Sequence, residues 1–100
     1  MRIIAVSTLR NCWIKHKPAE QPLKSWLEEA ESSTWGNSAE LKAKYRNASI
    51  ITSKRTVFNI KGNDYRLIVD IEYRLKIIFI VWVGTHSQYD KIDAKTIRYD

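Results

Sequence analysis

His86 and Tyr89 lie three positions apart in Thr85-His86-Ser87-Gln88-Tyr89-Asp90, one helical turn if the segment curls, so their side chains can share a site. Histidine titrates near neutrality and can take or give a proton, while tyrosine can donate a hydrogen bond or stack on a base. By itself a His-x-x-Tyr pair is equally a polar corner that caps a sheet. Asp90 is placed to orient His86 or Lys91, or is a surface acid.

A second group precedes it. In a strand over Tyr65 to Tyr73, Arg66 shares a face with Ile68, Asp70 and Glu72, and Leu67, Val69, Ile71 and Tyr73 share the other. Arg66 has two readings: an ion pair with Asp70 or Glu72, or a phosphate clamp whose rigid fork of donors matches a phosphoryl group. Lys54, Arg55 and Lys61 flank the preceding strand and concentrate positive charge near Asn59 and Asn63. They read as an RNA backbone track or as the lysine protection common on sheet edges.

Charge is consistent with the phosphate readings. Seventeen Lys and Arg against eleven Asp and Glu give +6 and a pI of about 9.6, the sign expected of a surface that meets phosphates, although a solvated basic face has the same sign. His16 and His86 are too far apart in sequence for a metal-ligand pair, and no metal or other cofactor is expected. No Gly-rich phosphate loop, serine nucleophile elbow or recognition-helix pattern occurs. Cys12, the single cysteine, excludes an internal disulfide and fits a reducing compartment. The opening Met1 to Val6 is too short an apolar run for a signal peptide or membrane span, which points to the cytoplasm and away from a membrane.

These groups have to be positioned by a fold of 100 residues, room for a single domain over 1–100 with one core. Leu9, Cys12, Trp13 and His16 share a helical face after the Ser7-Thr8 cap, predicting a helix over 8–16 that Lys17-Pro18 ends. Leu23, Trp26, Leu27 and Ala30 recur at i, i+3, i+4 and i+7 and predict a second, amphipathic helix from Ala19, with Pro22 in its first turn. A loop over 32–37 leads to a short third helix from Ser38 to about Tyr45. The period then changes to two. Strands are expected over 49–52, 56–60, 65–73 and 77–84, the last apolar on both faces as befits a central strand. Helices first and strands second give an α+β class, N-terminal helices packed on a mainly antiparallel four-stranded sheet.

With those elements in place, Val57-Phe58-Asn59-Ile60-Lys61-Gly62-Asn63-Asp64-Tyr65-Arg66-Leu67, followed by Gly84-Thr85-His86-Ser87-Gln88-Tyr89-Asp90-Lys91-Ile92, resembles the HigB family of toxins. The upstream Ala19-Glu20-Gln21-Pro22-Leu23, Trp26, Trp35 and Leu41-Lys42-Ala43 also fit, so the resemblance spans nearly the whole chain. It implies a RelE-like fold and the toxin of a type II toxin-antitoxin system, an mRNA endoribonuclease acting on the ribosome, with a HigA-type helix-turn-helix antitoxin as partner. Asn59, Asn63 and Arg66 match the family's strand motif, and Thr85, His86, Tyr89 and Asp90 its C-terminal motif.

The implied reaction is metal-independent transesterification, in which the RNA 2′-OH attacks the adjacent 3′ phosphate. His86 leads as the proton-transfer group, Tyr89 is a second or a base-stacking platform, and Arg66 helped by Lys61 stabilises the developing charge. Val81 stands where relatives often carry a basic residue, which leaves Lys61 or Lys54 to compensate. The same departure keeps a second function in view, a catalytically weakened or inactive RNA- or ribosome-binding module of the same fold.

Overall fold

A computed structural model describes residues 1–99. The order is β1 (Arg2–Ile4), α1 (Val6–Lys15), a single 3-10 turn (Lys17–Ala19), α2 (Glu20–Ser32), α3 (Ser38–Lys44), β2 (Ser49–Ile50), β3 (Arg55–Ile60), β4 (Tyr65–Glu72), β5 (Ile77–Thr85) and α4 (His86–Tyr89). The α+β class expected from the sequence is the class observed, with one correction: the sheet has five strands, ordered β1-β5-β4-β3-β2. The additional strand is β1, three residues long and parallel to β5 through Arg2 opposite Ile77 and Ile4 opposite Phe79. A three-residue segment has too few positions for a period-two pattern to register.

That strand also moves the first helix. Ala5, alone between β1 and α1 and left-handed at φ 69°, turns the chain so tightly that α1 begins at Val6. Ser7 and Thr8 therefore lie inside α1, and no side chain caps it. Farther on, Asn37 caps α3 by accepting from the Glu40 backbone N–H at 3.0 Å, and β2 is two residues long instead of the expected four.

Helix α2 starts with an ion-pair cluster. The Glu20 carboxylate lies 2.5 Å from Lys17 and 2.6 Å from Lys24, and Lys24 also sits 5.4 Å from the centre of the Trp13 ring. Bonds first from Lys17 and then from Lys24 pull the Glu20 pKa from 4.5 to about 2. A depressed carboxyl pKa stabilises the fold fully above the unfolded value and loses that contribution as pH falls through the folded one. The acid limb of stability between pH 4.5 and about 2 is therefore expected to flatten in Glu20→Gln. Thermal unfolding followed across that window checks this.

The helices cover one face of the sheet. Leu9, Leu23, Leu41, Leu67, Ile78 and Ile80 are all fully buried there. Burying a Leu or Ile side chain contributes roughly 1.5–3 kcal/mol. Phe58 stands at the centre, with the Trp26 and Tyr45 rings edge-on at 5.3 and 5.1 Å. The opposite face carries a smaller cluster of Val57, Ile68 and Val81, covered by Ile92, Ala94 and Ile97 from the segment after α4. Tyr99 packs edge-on against Phe79 at 5.0 Å.

Strand β5 is apolar throughout because it meets both clusters, as its continuous run predicts. Its alternation breaks once. Ile68 pairs with Trp82 but Val69 pairs with Ile80, so Val81 is an extra residue, a bulge. Ile78 and Ile80 face the helices, Val81 and Trp82 both join the opposite cluster, and Val83 returns to the helical side.

Candidate functional site

One end of the sheet gathers most of the residues singled out above. Asn59 on β3, Arg66 on β4 and Gly84 on β5 lie opposite one another in adjacent strands. Asn59 donates through its side-chain amide to Asn63 Oδ1 at 3.3 Å, which ties the strand to the 61–64 turn. That turn requires left-handed backbone at Lys61 (φ 52°) and Gly62 (φ 65°), a conformation glycine adopts freely. The backbone N–H of His86 then donates to the Asp64 carbonyl at 2.9 Å and fixes the start of α4 beside the turn.

Arg66 is half-buried, and its Nη1 donates to the carbonyls of Asn63 and Tyr65 at 3.1 and 3.3 Å. It forms no salt bridge among the described residues, because both acids on its strand face are taken. Asp70 binds Arg55 through two parallel bonds of 2.8 Å, and Glu72 lies 3.0 Å from Lys54. The ion-pair reading of Arg66 is thereby excluded in favour of a guanidinium held by carbonyls, its positive charge uncompensated. Its central carbon sits 5.7 Å from the Tyr89 ring centre, a cation–π contact that orients both side chains. Tyr89 in turn lies 6.2 Å from the Trp82 ring.

His86 is half exposed, and its Nε2 lies 3.5 Å from a carboxylate oxygen of Asp90, which is also exposed. Thr85 holds the segment from behind. Its hydroxyl accepts from the Gln88 N–H at 3.2 Å, and the Gln88 side chain accepts from the Thr85 N–H at 2.9 Å. This reciprocal cap is what curls the chain and brings His86 and Tyr89 to one turn of helix. The Thr-x-x-Gln spacing is the sequence signal for it, and with it Gln88 joins the residues that build the site.

The basic residues divide. Lys61 stays near the site but sits 3.4 Å from Asp64. Lys54 and Arg55 do not reach it: Arg55 pairs across the strands with Asp70, four residues along β3 from Asn59, roughly 13 Å at the rise of a strand. Besides Asp70, Arg55 donates to the carbonyls of Ala94, Lys95 and Ile97, and only 11% of its side chain is exposed. It is a brace for the segment after α4, and the Asp70 bonds hold its pKa above the usual value. The RNA-track reading is accordingly withdrawn for Arg55. Val81 is 5% exposed inside the smaller cluster, so nothing at this position reaches the site. Among the described residues no group of three or more His, Cys, Asp or Glu side chains gathers, and no helix is long and apolar enough to cross a membrane.

Gly84 permits the close approach on which the corner depends. A Cβ there would lie 2.6 Å from the Trp82 ring and 2.6 Å from the Gln88 side-chain oxygen. Both neighbours would have to move, and the second belongs to the cap. Gly84→Ala is expected to cost about 1–3 kcal/mol by overcrowding. A lowered denaturant midpoint, together with lost amide protection at Gln88, would reveal it.

The five-stranded sheet is covered on one face by the N-terminal helices and carries Arg66, His86 and Tyr89 at one corner. Residues 19–92 match the HigB_toxin family model, described as the RelE-like toxic component of a toxin-antitoxin system, and the chain belongs to that family. No curated protein matches it.

Proposed function

We propose that this toxin is a metal-independent endoribonuclease that cleaves mRNA on the ribosome in the cytoplasm and is restrained by a HigA-type helix-turn-helix antitoxin. The observation that carries the reading is the uncompensated guanidinium of Arg66, stacked on Tyr89 at the corner that also presents His86. A cation held by carbonyl groups alone keeps its charge for an anionic ligand, whereas Arg55 spends its charge on Asp70.

In the proposed reaction the RNA 2′-OH attacks the adjacent phosphorus, and the bond to the 5′ oxygen of the next nucleotide breaks. His86 takes the proton lost by the 2′-OH and returns it to the departing 5′ oxygen, with Asp90 beside its ring. Arg66 stabilises the charge that accumulates on the phosphoryl oxygens, and a base stacks on Tyr89. Asn59 and Asn63 offer amide groups to the RNA alongside. Lys61 adds a positive charge at the turn.

The route requires the ribose hydroxyl. A message carrying one 2′-deoxy nucleotide at the cleaved position is expected to resist the protein, while neighbouring ribose positions remain cleavable. Cleavage at an undiminished rate would falsify the mechanism. Inducing the wild type should leave new mRNA 5′ ends that disappear in His86→Ala; a binding module without catalysis would leave none.

A further inference from the structure

The outer edge of β5 is only half occupied. Strand β1 pairs with Ile77, Ile78 and Phe79, and no strand among the described residues pairs with that edge from Val81 to Gly84. Helix α1 packs against β5 there, leaving a groove of about 500 Å³ between the helix and the corner formed by β5 and α4. Asn11, Lys15 and His16 line one wall, and Gln88 and Lys91 the other. Trp82 and Gly84 lie between them.

Three features of the groove point to one kind of ligand. No carboxylate lines it, and neither Lys15 nor Lys91 forms an ion pair among the described residues, so its charge is positive and uncompensated. Its neutral polar groups suit a base edge: Asn11 and Gln88 carry amides and His16 an imidazole, and Gln88 uses only its oxygen in the Thr85 cap, which leaves its NH2 to donate. Finally, the groove adjoins the corner site, since Gln88, which lines it, belongs to the short helix that carries His86 and Tyr89. Gly84 lines it and is also the cross-strand partner of Arg66.

We propose that this groove is a subsite for single-stranded RNA, holding a nucleotide that flanks the cleaved phosphate. Lys15 and Lys91 meet backbone phosphates, and Asn11, His16 and Gln88 meet the base. The proposal rests on the ribonuclease reading above and extends it from the reacting phosphate to the neighbouring nucleotide. Phosphate contacts bind any sequence, whereas the amides and imidazole discriminate between bases.

The test uses a nine-nucleotide RNA with one 2′-deoxy position at the cleaved nucleotide, so that binding is read without turnover. Its Kd is measured against NaCl concentration for the wild type and for Lys15→Ala/Lys91→Ala. Each lost phosphate contact removes about 0.7 from the slope of log K against log salt for a single strand. The double variant is expected to bind roughly tenfold more weakly at low salt, with a slope shallower by about 1.4. A charge-matched pair at the opposite end of the sheet, Arg2→Ala/Arg74→Ala, should retain the wild-type slope. Wild-type affinity and slope in Lys15→Ala/Lys91→Ala overturn the subsite, as does equal weakening in the control pair. If the groove variant instead loses antitoxin binding while RNA affinity holds, the groove serves the protein partner and the proposal is wrong. A wild-type protein that fails to cleave an all-ribose message on translating ribosomes defeats the ribonuclease reading; cleavage there with unchanged binding in the groove variant defeats the subsite alone.

Discussion

Arg66→Ala is expected to slow RNA cleavage by roughly 10²- to 10³-fold, the usual consequence of removing one preorganised donor from a developing oxyanion. The loss should appear in single-turnover rates, with the folded state intact. Arg66 holds no acid in the core: Asp70 keeps its two bonds to Arg55, and Glu72 keeps Lys54. Its own contacts are two carbonyls and the face of Tyr89. Truncation therefore strands no buried charge, and a lost rate with an unchanged unfolding midpoint isolates the phosphate role. Arg66→Lys should recover part of the rate, because an ammonium restores the charge but not the planar fork. Equal cleavage by wild type and Arg66→Ala would remove Arg66 from the mechanism.

Arg55→Ala should produce the opposite pattern, a damaged fold with the chemistry affected only through it. The side chain bridges Asp70 to the backbone of residues 94–97, so removing it leaves one carboxylate and three carbonyl groups without their donor. Breaking a well-buried pair costs about 3–5 kcal/mol. Asp70 is 39% exposed, so water compensates in part and a loss of about 2–3 kcal/mol is expected. Equilibrium denaturation measures the total. Hydrogen exchange locates it, with protection falling first in the segment after α4 that covers Val57, Ile68 and Val81. Arg55→Lys should fall between the two, since an ammonium can meet Asp70 or the carbonyls but not all of them in one geometry.

These two arginines show what the sequence made legible and what it did not. Both precede a strand's apolar run by local rules, and both were compatible with a phosphate site. The difference between them is a matter of register: Arg55 falls opposite Asp70, and Arg66 falls opposite Asn59. Which pairs face one another is decided by the length of the 61–64 turn, and composition says nothing about it. Periodicity did carry the helices and the strands β3 to β5, because those elements repeat their pattern over a full face, but the central place it gave β5 belongs to β4: β5 has a neighbour on its outer side only from Ile77 to Phe79. It missed β1, whose three residues are held by the neighbour they pair with. The His86 and Tyr89 spacing is visible as a possible turn of helix, while the cap that enforces it rests on a Thr85-x-x-Gln88 spacing that becomes distinctive only once β5 is known to end at Thr85.

The extra residue at Val81 acts as a phase shifter in β5. Below it the helix-facing positions are even-numbered, as at Ile78 and Ile80; beyond it Val83 takes that side, and Gly84 comes to face the row of Arg66. Substitution scanning would report Val81 as one more buried aliphatic, since Ile or Leu there preserves the count. Deleting the single codon would keep every neighbouring residue type and rotate the path into Thr85 and His86 by half a pleat. The connection between the toxin's core and its corner is thus written in chain length, a property that survives changes of residue and fails on the loss of one.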